Sequence, residues 1–260
     1  MRDLLATDTA PRADALTVVA QKAGQSADLT IPEGRFLQLD TANNVVGISA
    51  SQIEDQYGAD WHPLHSRSWI AHDGRAWRCD VRPSGLTEYL DLPAPPADWA
   101  PAAVAEFPTD PAELRQFFSD RVSGSLTHDE AIFNGVHEVL IRGYAPPAVQ
   151  QAAIEARAEL DVVTVQRAKA PSRRALLEVR FYDPKTRGPE AFSMWFDEST
   201  GRLAETSSVL TKTGQINYAT YAPRSLVDAV PADVLALAND MSGDQPPAHE
   251  PTPQPSPSCA

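Results

Sequence analysis

The sequence predicts an α+β fold, a curved antiparallel sheet forming an open half-barrel with about three helices covering its concave side. Three observations predict it. Short runs with two-residue alternation fill both ends of residues 13–240, three segments of 3–4-residue apolar spacing lie between them, and successive strands are joined by turn chemistry. Strands, then helices, then strands is an α+β order, not the alternation of a parallel sheet.

The first strands are expected over Arg35 to Thr41 and Val45 to Ser51, separated by a turn at Asn43-Asn44. A hairpin follows over Ser68 to Val81, around Asp73-Gly74, a two-residue turn of the positive-φ kind. Such a turn sets Ile70 opposite Trp77 and Ser68 opposite Cys79. Ile70, Trp77, Cys79 and Val81 then share the inner face, with Arg78, Asp80 and Arg82 on the other. Glu88 to Leu92 adds a strand before the linker Pro93-Ala94-Pro95-Pro96.

Helix starts are well marked. Asp110-Pro111-Ala112-Glu113 supplies an N-cap acceptor, a proline at the first helical position and a glutamate at the third, ahead of Leu114, Phe117 and Phe118. Thr127-His128-Asp129-Glu130 repeats the capping pattern before Ile132, Phe133, Val136, Val139 and Leu140. A third helix begins after Pro146-Pro147 and buries Val149, Ala152, Ala153, Ala156 and Leu160. The last third returns to strands: Val162 to Gln166, Leu176 to Tyr182, Glu190 to Phe196, Leu203 to Leu210 and Ile216 to Tyr221. Leu177, Val179 and Phe181 alternate with polar neighbours, and Phe192, Met194 and Phe196 alternate with Ala191, Ser193 and Trp195.

Composition bounds the rest. With 22 basic against 35 acidic side chains and a net charge of −13, the chain lacks the basic balance of a nucleic-acid binder. Residues 1–12 read as a flexible N-terminus, 13–240 as a single α+β domain, and 241–260 as a disordered, proline-rich, acidic tail with no apolar anchor. The opening residues lack the apolar stretch of a signal peptide, and no window approaches the ~18 consecutive apolar residues of a membrane-spanning helix. The two cysteines, Cys79 and Cys259, are too few for a disulfide framework, and Cys79 reads as a small buried hydrophobe.

No phosphate loop, dinucleotide fingerprint or nucleophile elbow is present, and no catalytic residue or cofactor is assigned. His62, His65, His72, Asp73 and Cys79 are the densest set of possible metal ligands, but Pro63 interrupts the first pair and the spacing is irregular, so no metal site is assigned. His128 and His137 read as exposed or capping side chains, and the basic run Arg167, Lys169, Arg173, Arg174 as a solvated loop. Glu88, Asp91, Asp197 and Glu198 are available for acid-base work, yet nothing in the sequence brings two of them together. The aromatic content of the strands is more informative. Trp69, Trp77, Tyr89, Tyr182, Phe192, Trp195 and Tyr218 are the candidates for lining an apolar cavity, with ordinary core packing as the competing explanation.

The stretch from Phe107 to Pro231 resembles an actinobacterial family of mostly uncharacterised, usually membrane-anchored proteins encoded beside extracytoplasmic-function sigma factors. The resemblance is carried by Phe107-Pro108-Thr109-Asp110-Pro111-Ala112-Glu113-Leu114, by the helix after Pro146-Pro147 running into Leu160-Asp161-Val162-Val163, and by Phe196-Asp197-Glu198-Ser199-Thr200-Gly201-Arg202-Leu203. The Trp69 to Arg78 hairpin looks like the family's first sheet segment. The resemblance implies a lipoprotein-carrier-like ectodomain, an unclosed barrel with helices on its concave side. Members commonly carry a cytoplasmic stub and one transmembrane helix ahead of that domain. None is seen in this sequence, so an extracytoplasmic ectodomain and a cytoplasmic variant both stay open.

Two functions therefore compete. One is a non-enzymatic binding or sensing domain holding a lipid or acyl chain in an open-barrel cavity, in sigma-factor-linked envelope regulation. The other is a protein-protein regulator with a solid core that docks an anti-sigma or other regulatory partner. A hydrolase is the third and weakest alternative.

Overall fold

The structure, a computed structural model, describes residues 12–46, 65–82, 85–121, 127–183, 190–210 and 215–240. The expectations for the N-terminus before Arg12, for His62, for the strand beyond Val46 and for the tail after Asp240 lie outside those residues. In chain order the helices are α1 (Arg12–Gly24), α2 (Pro101–Ala105), α3 (Pro111–Ser119), α4 (His128–Arg142), α5 (Pro147–Ala158) and α6 (Ala232–Leu237). The strands are β1 (Phe36–Val46), β2 (His65–Ala71), β3 (Ala76–Val81), β4 (Thr87–Leu92), β5 (Val163–Lys169), β6 (Ala175–Phe181), β7 (Glu190–Asp197), β8 (Arg202–Leu210), β9 (Gln215–Tyr221), β10 (Ser225–Val227) and β11 (Asn239–Asp240). The class is α+β, as the sequence predicts, and among the described residues the sheet is not closed: its end strands, β5 and β11, each pair with one neighbour there. No helix among the described residues is long and apolar enough to cross a membrane.

The chain divides into two compact units, Met1–Asp28 with Phe107–Tyr218, and Leu29–Glu106 with Ala219–Ala260. The first unit carries strands in the order β9-β8-β7-β6-β5. Leu177, Val179 and Phe181 of β6 stand opposite Phe196, Met194 and Phe192 of β7, so the alternation read from the sequence gives one continuous apolar face. Helices supply its cover. Phe133 of α4 packs against Phe181 and Phe192 with ring centroids 4.7 and 5.6 Å apart.

Both predicted caps are present. The Asp110 carboxylate accepts from the N–H groups of Ala112 and Glu113 at 2.9 and 3.0 Å, and the Thr127 hydroxyl accepts from Glu130 N–H at 3.2 Å. The largest departure is α1, which the sequence reading passes over. Its Leu16, Val19, Ala20 and Ala23 are buried at helical spacing, and it packs on α5.

The opposite face of the same strands is also buried, and it mixes an apolar cluster of Ala170, Leu176, Trp195 and Ala204 with polar groups. Glu178 accepts from Ser193 Oγ at 2.6 Å and from Gln166 Nε2 at 2.5 Å, and Trp195 Nε1 donates to Ser207 Oγ at 2.9 Å. Glu205, fully buried beside them, accepts from Ser172 N–H at 3.3 Å. Burial holds its carboxyl above the usual range. A register shift between Trp195 and Phe196 sets Trp195 against Glu205 and Phe196 against Leu203, which leaves Ala204 as the extra residue of a bulge.

The second unit carries β11-β4-β3-β2-β1 followed by β9, with β10 also pairing β1. Two sequence readings need correction here. Strand β1 runs unbroken through Asn43-Asn44, so these residues do not turn the chain. The β2–β3 hairpin is one residue out of the predicted register. Ala71 N–H bonds to Arg75 O and Gly74 N–H to Ala71 O, which makes a three-residue loop with Gly74 at φ 88°.

Trp69 therefore faces Trp77, Arg67 faces Cys79 and Ile70 faces Ala76. Trp69, not Ile70, joins Cys79 and Tyr89 in the core, closed by Val230 and Val234 around α6. Cys79 is buried in this core, as the sequence reading has it, and is disulfide-bonded. Charge pairs tie the remaining strands: Arg67 reaches both Asp40 oxygens across β1–β2 at 2.7 and 3.2 Å, and Arg35 bonds the carbonyls of Leu226 and Val227 on β10.

Candidate functional site

The first unit places a cation and an imidazole in its helix-sheet layer. Phe133 and His137 are one helical turn apart on α4 and so share a face. That face meets β7, where His137 packs edge-on against Phe192 at 4.9 Å between ring centroids. From α5 comes Arg157, whose Cζ lies 4.4 Å from the centre of the Phe133 ring. Arg157 is 1% exposed, and among the described residues no acceptor meets its Nε, Nη1 or Nη2. The sequence puts it there because it stands four residues after Ala153 and three before Leu160, on the buried ridge of the helix.

Burial pushes the Arg157 pKa down to about 9, which leaves the group charged at neutral pH. His137 responds in the opposite sense to the expectation of an exposed or capping side chain. Burial, and then the nearby Arg157 charge, lower its pKa to about 4, so the imidazole is neutral. Its side chain is 21% exposed and Phe192 is half-buried, so this edge of the layer forms its rim. Glu138, beside it, is engaged by Arg142 at 3.0 Å and stands 4.0 Å from His137.

A pH dependence follows from these values. The unfolded imidazole takes its proton near pH 6.5 and the folded one near pH 4, so between those values the unfolded chain binds more protons and stability falls as pH falls. The contribution is fully present above about pH 6.5, and roughly 3 kcal/mol of it is lost by pH 4. Denaturant titrations of the wild type and His137→Phe across pH 4–7.5 check it. The wild type should lose stability relative to His137→Phe as pH falls, and parallel curves would remove the assigned shift.

The other sequence candidates fall in several places. Trp69 and Tyr89 are core residues of the second unit, and half-buried Trp77 packs on that core with its ring 5.9 Å from Phe36. Phe192 is in the layer just described, whereas Trp195 lies on the opposite face of β7, in an apolar cluster with Ala170, Leu176 and Ala204. Tyr182 is 42% exposed just beyond β6, and Tyr218 is half-buried on β9.

Among the described residues no three His, Cys, Asp or Glu side chains cluster as a metal site. The Nδ1 groups of His65 and His72 are engaged with the carbonyls of Thr41 and Ile31 at 2.9 and 2.7 Å. Three of the four carboxylates considered for acid-base work are ion-paired, Glu88 with Arg82, Asp197 with Arg174 and Glu198 with Arg167, and Asp91 lies on β4 opposite Trp77. The last two pairs also account for much of the basic run.

No family model matches the chain, and no curated protein matches it. Solved structures with partial likeness include the complex of Pseudomonas aeruginosa MucA and MucB, at 12% identity and TM-score 0.30, covering 87% of this chain and 60% of that one. A structure of MucB with MucA(peri) gives 11% identity and TM-score 0.31, covering 86% of this chain and 59% of that one. A LolA superfamily protein from Nitrosomonas europaea gives 11% identity and TM-score 0.23, covering 86% and 97%. The chain thus spans about three-fifths of the first two, and likeness at these scores says nothing of what this chain binds.

Proposed function

We propose that this chain is a non-enzymatic ligand-binding or sensing domain that takes an apolar ligand, such as an acyl chain, and acts in the sigma-factor-linked envelope regulation that its sequence resemblance implies. The observation that carries this reading is the helix-sheet layer of the first unit. Phe133, Phe181 and Phe192 form an aromatic surface there that is half-open at the Phe192–His137 edge. Phe133, Phe181 and Phe192 offer apolar contact and Arg157 a positive charge, beside the neutral imidazole of His137.

A buried ~14-carbon chain is worth on the order of 10 kcal/mol gross at ~0.8 kcal/mol per methylene, before the costs of binding are subtracted. A modest apolar slot is therefore enough. Of the seven aromatic residues nominated by the sequence, Phe192 is the one this reading uses.

The second reading, a regulator that docks a protein partner, is favoured by β5. Among the described residues it pairs only with β6, and Thr164, Arg167 and Lys169 on it are exposed. An end strand with an open edge accepts an added strand. Native mass spectrometry of protein purified from its own host separates the two. A co-purifying lipid mass is expected, and a bare polypeptide mass under conditions that preserve lipid adducts would favour the regulator.

A further inference from the structure

We propose that Arg157 binds the carboxylate of a monocarboxylic acid with an apolar tail, which enters the helix-sheet layer of the first unit past His137 and Phe192. This deepens the reading of the chain as a binder of an apolar ligand and rests on it. A guanidinium presents five N–H donors in a fixed fork, suited to both oxygens of one carboxylate. In Arg157 all three nitrogens lie buried without an acceptor among the described residues, and the neighbour the structure gives the group is the face of Phe133. A buried charge with no counter-ion is among the costliest groups a fold can hold, and a methionine or leucine would pack the same ridge without that cost. The position is thus poorly explained by packing and well explained by an anion.

Charge and surroundings select the class of anion. Arg157 contributes one positive charge, and His137 at the rim is neutral. Of the carboxylates facing that rim, Glu138 is held by Arg142. A monoanion therefore neutralises the site, whereas a dianionic phosphate would leave a net negative charge in an apolar layer. The remaining contacts on offer are the rings of Phe133, Phe181 and Phe192, which suit a hydrocarbon stem and not a second polar group.

The test uses the full chain with three probes: dodecanoate, dodecanol and acetate. By titration calorimetry the wild type should bind dodecanoate about tenfold or more tightly than dodecanol, the scale of one charge-assisted hydrogen-bond pair. Arg157→Met should fold with a thermal midpoint at or above that of the wild type and bind both twelve-carbon compounds equally. Arg157→Lys, which keeps the charge but loses the fork, should retain part of the preference. Equal affinity of the wild type for acid and alcohol, or an undiminished preference in Arg157→Met, overturns the carboxylate site and leaves the apolar-ligand reading standing. If acetate raises the midpoint of the wild type but not of Arg157→Met while neither twelve-carbon compound binds, the apolar reading fails and the anion site stands alone. No response to any probe overturns both. Should Arg157→Met not fold, the wild-type ratio of acid to alcohol decides the matter.

Discussion

Gly201→Ala is expected to cost about 3–5 kcal/mol of stability, the sum of left-handed backbone strain and a collision with a neighbouring helix. Gly201 ends the β7–β8 turn at φ 73°, where its N–H donates to Asp197 O at 2.8 Å. The Asp197 carboxylate fixes the same turn by accepting from the N–H and hydroxyl of Ser199 at 3.0 and 2.5 Å. A Cβ at position 201 would fall within 3.0 Å of Val19 O, Ala23 N and Lys22 C, all backbone atoms of α1 that no rotamer change can move aside. Gly34 is the control, since it has φ 75° and nothing within 4 Å of its own Cβ position. Gly34→Ala should cost about 1 kcal/mol, the strain alone. Equal losses in the two variants by urea denaturation would mean that α1 does not seat on this turn.

The second large effect is in the other unit. Trp69→Ala should cost about 3–5 kcal/mol, because the ring is 2% exposed and its loss leaves a void between β2, β3 and α6. Trp77→Ala, directly across the hairpin, should cost about 1–2 kcal/mol, because that ring is half-buried with the Arg75 guanidinium 5.7 Å away. Denaturation midpoints of the two variants check the ratio. If Trp77→Ala proved as damaging as Trp69→Ala, the core of this unit would lie elsewhere than the Trp69, Cys79 and Tyr89 cluster.

What could be read in advance depended on whether the signal was local. The caps at Asp110 and Thr127 are local, because a side chain three residues from the N–H it accepts needs no knowledge of the fold, and both were legible. So was the alternation in β6 and β7, since period two survives any change of partner. The hairpin register was not, because Asp73-Gly74 fits both a two-residue turn and the last two positions of a three-residue loop. That single residue exchanges Ile70 for Trp69 in the core.

Helix α1 carried its pattern openly in Leu16, Val19, Ala20 and Ala23 but lacked a capping signature to announce its start. Arg157 was missed for a different reason. Its charge masks an apolar ridge position, and only the packed structure shows that Ala153 and Leu160 carry it inward with them.

The division of the chain has a consequence for its synthesis. Helix α1 is the first described element to leave the ribosome, yet its helical partner α5 begins at Pro147 and the turn that holds Gly201 comes later still. At ~5–20 residues per second, the roughly 120 residues between Gly24 and Pro147 correspond to roughly 6–25 s. Throughout that interval Leu16 and Val19 lack the α5, β5 and β8 surfaces against which α1 chiefly packs. The seating of α1 in the first unit therefore waits on segments translated well after it.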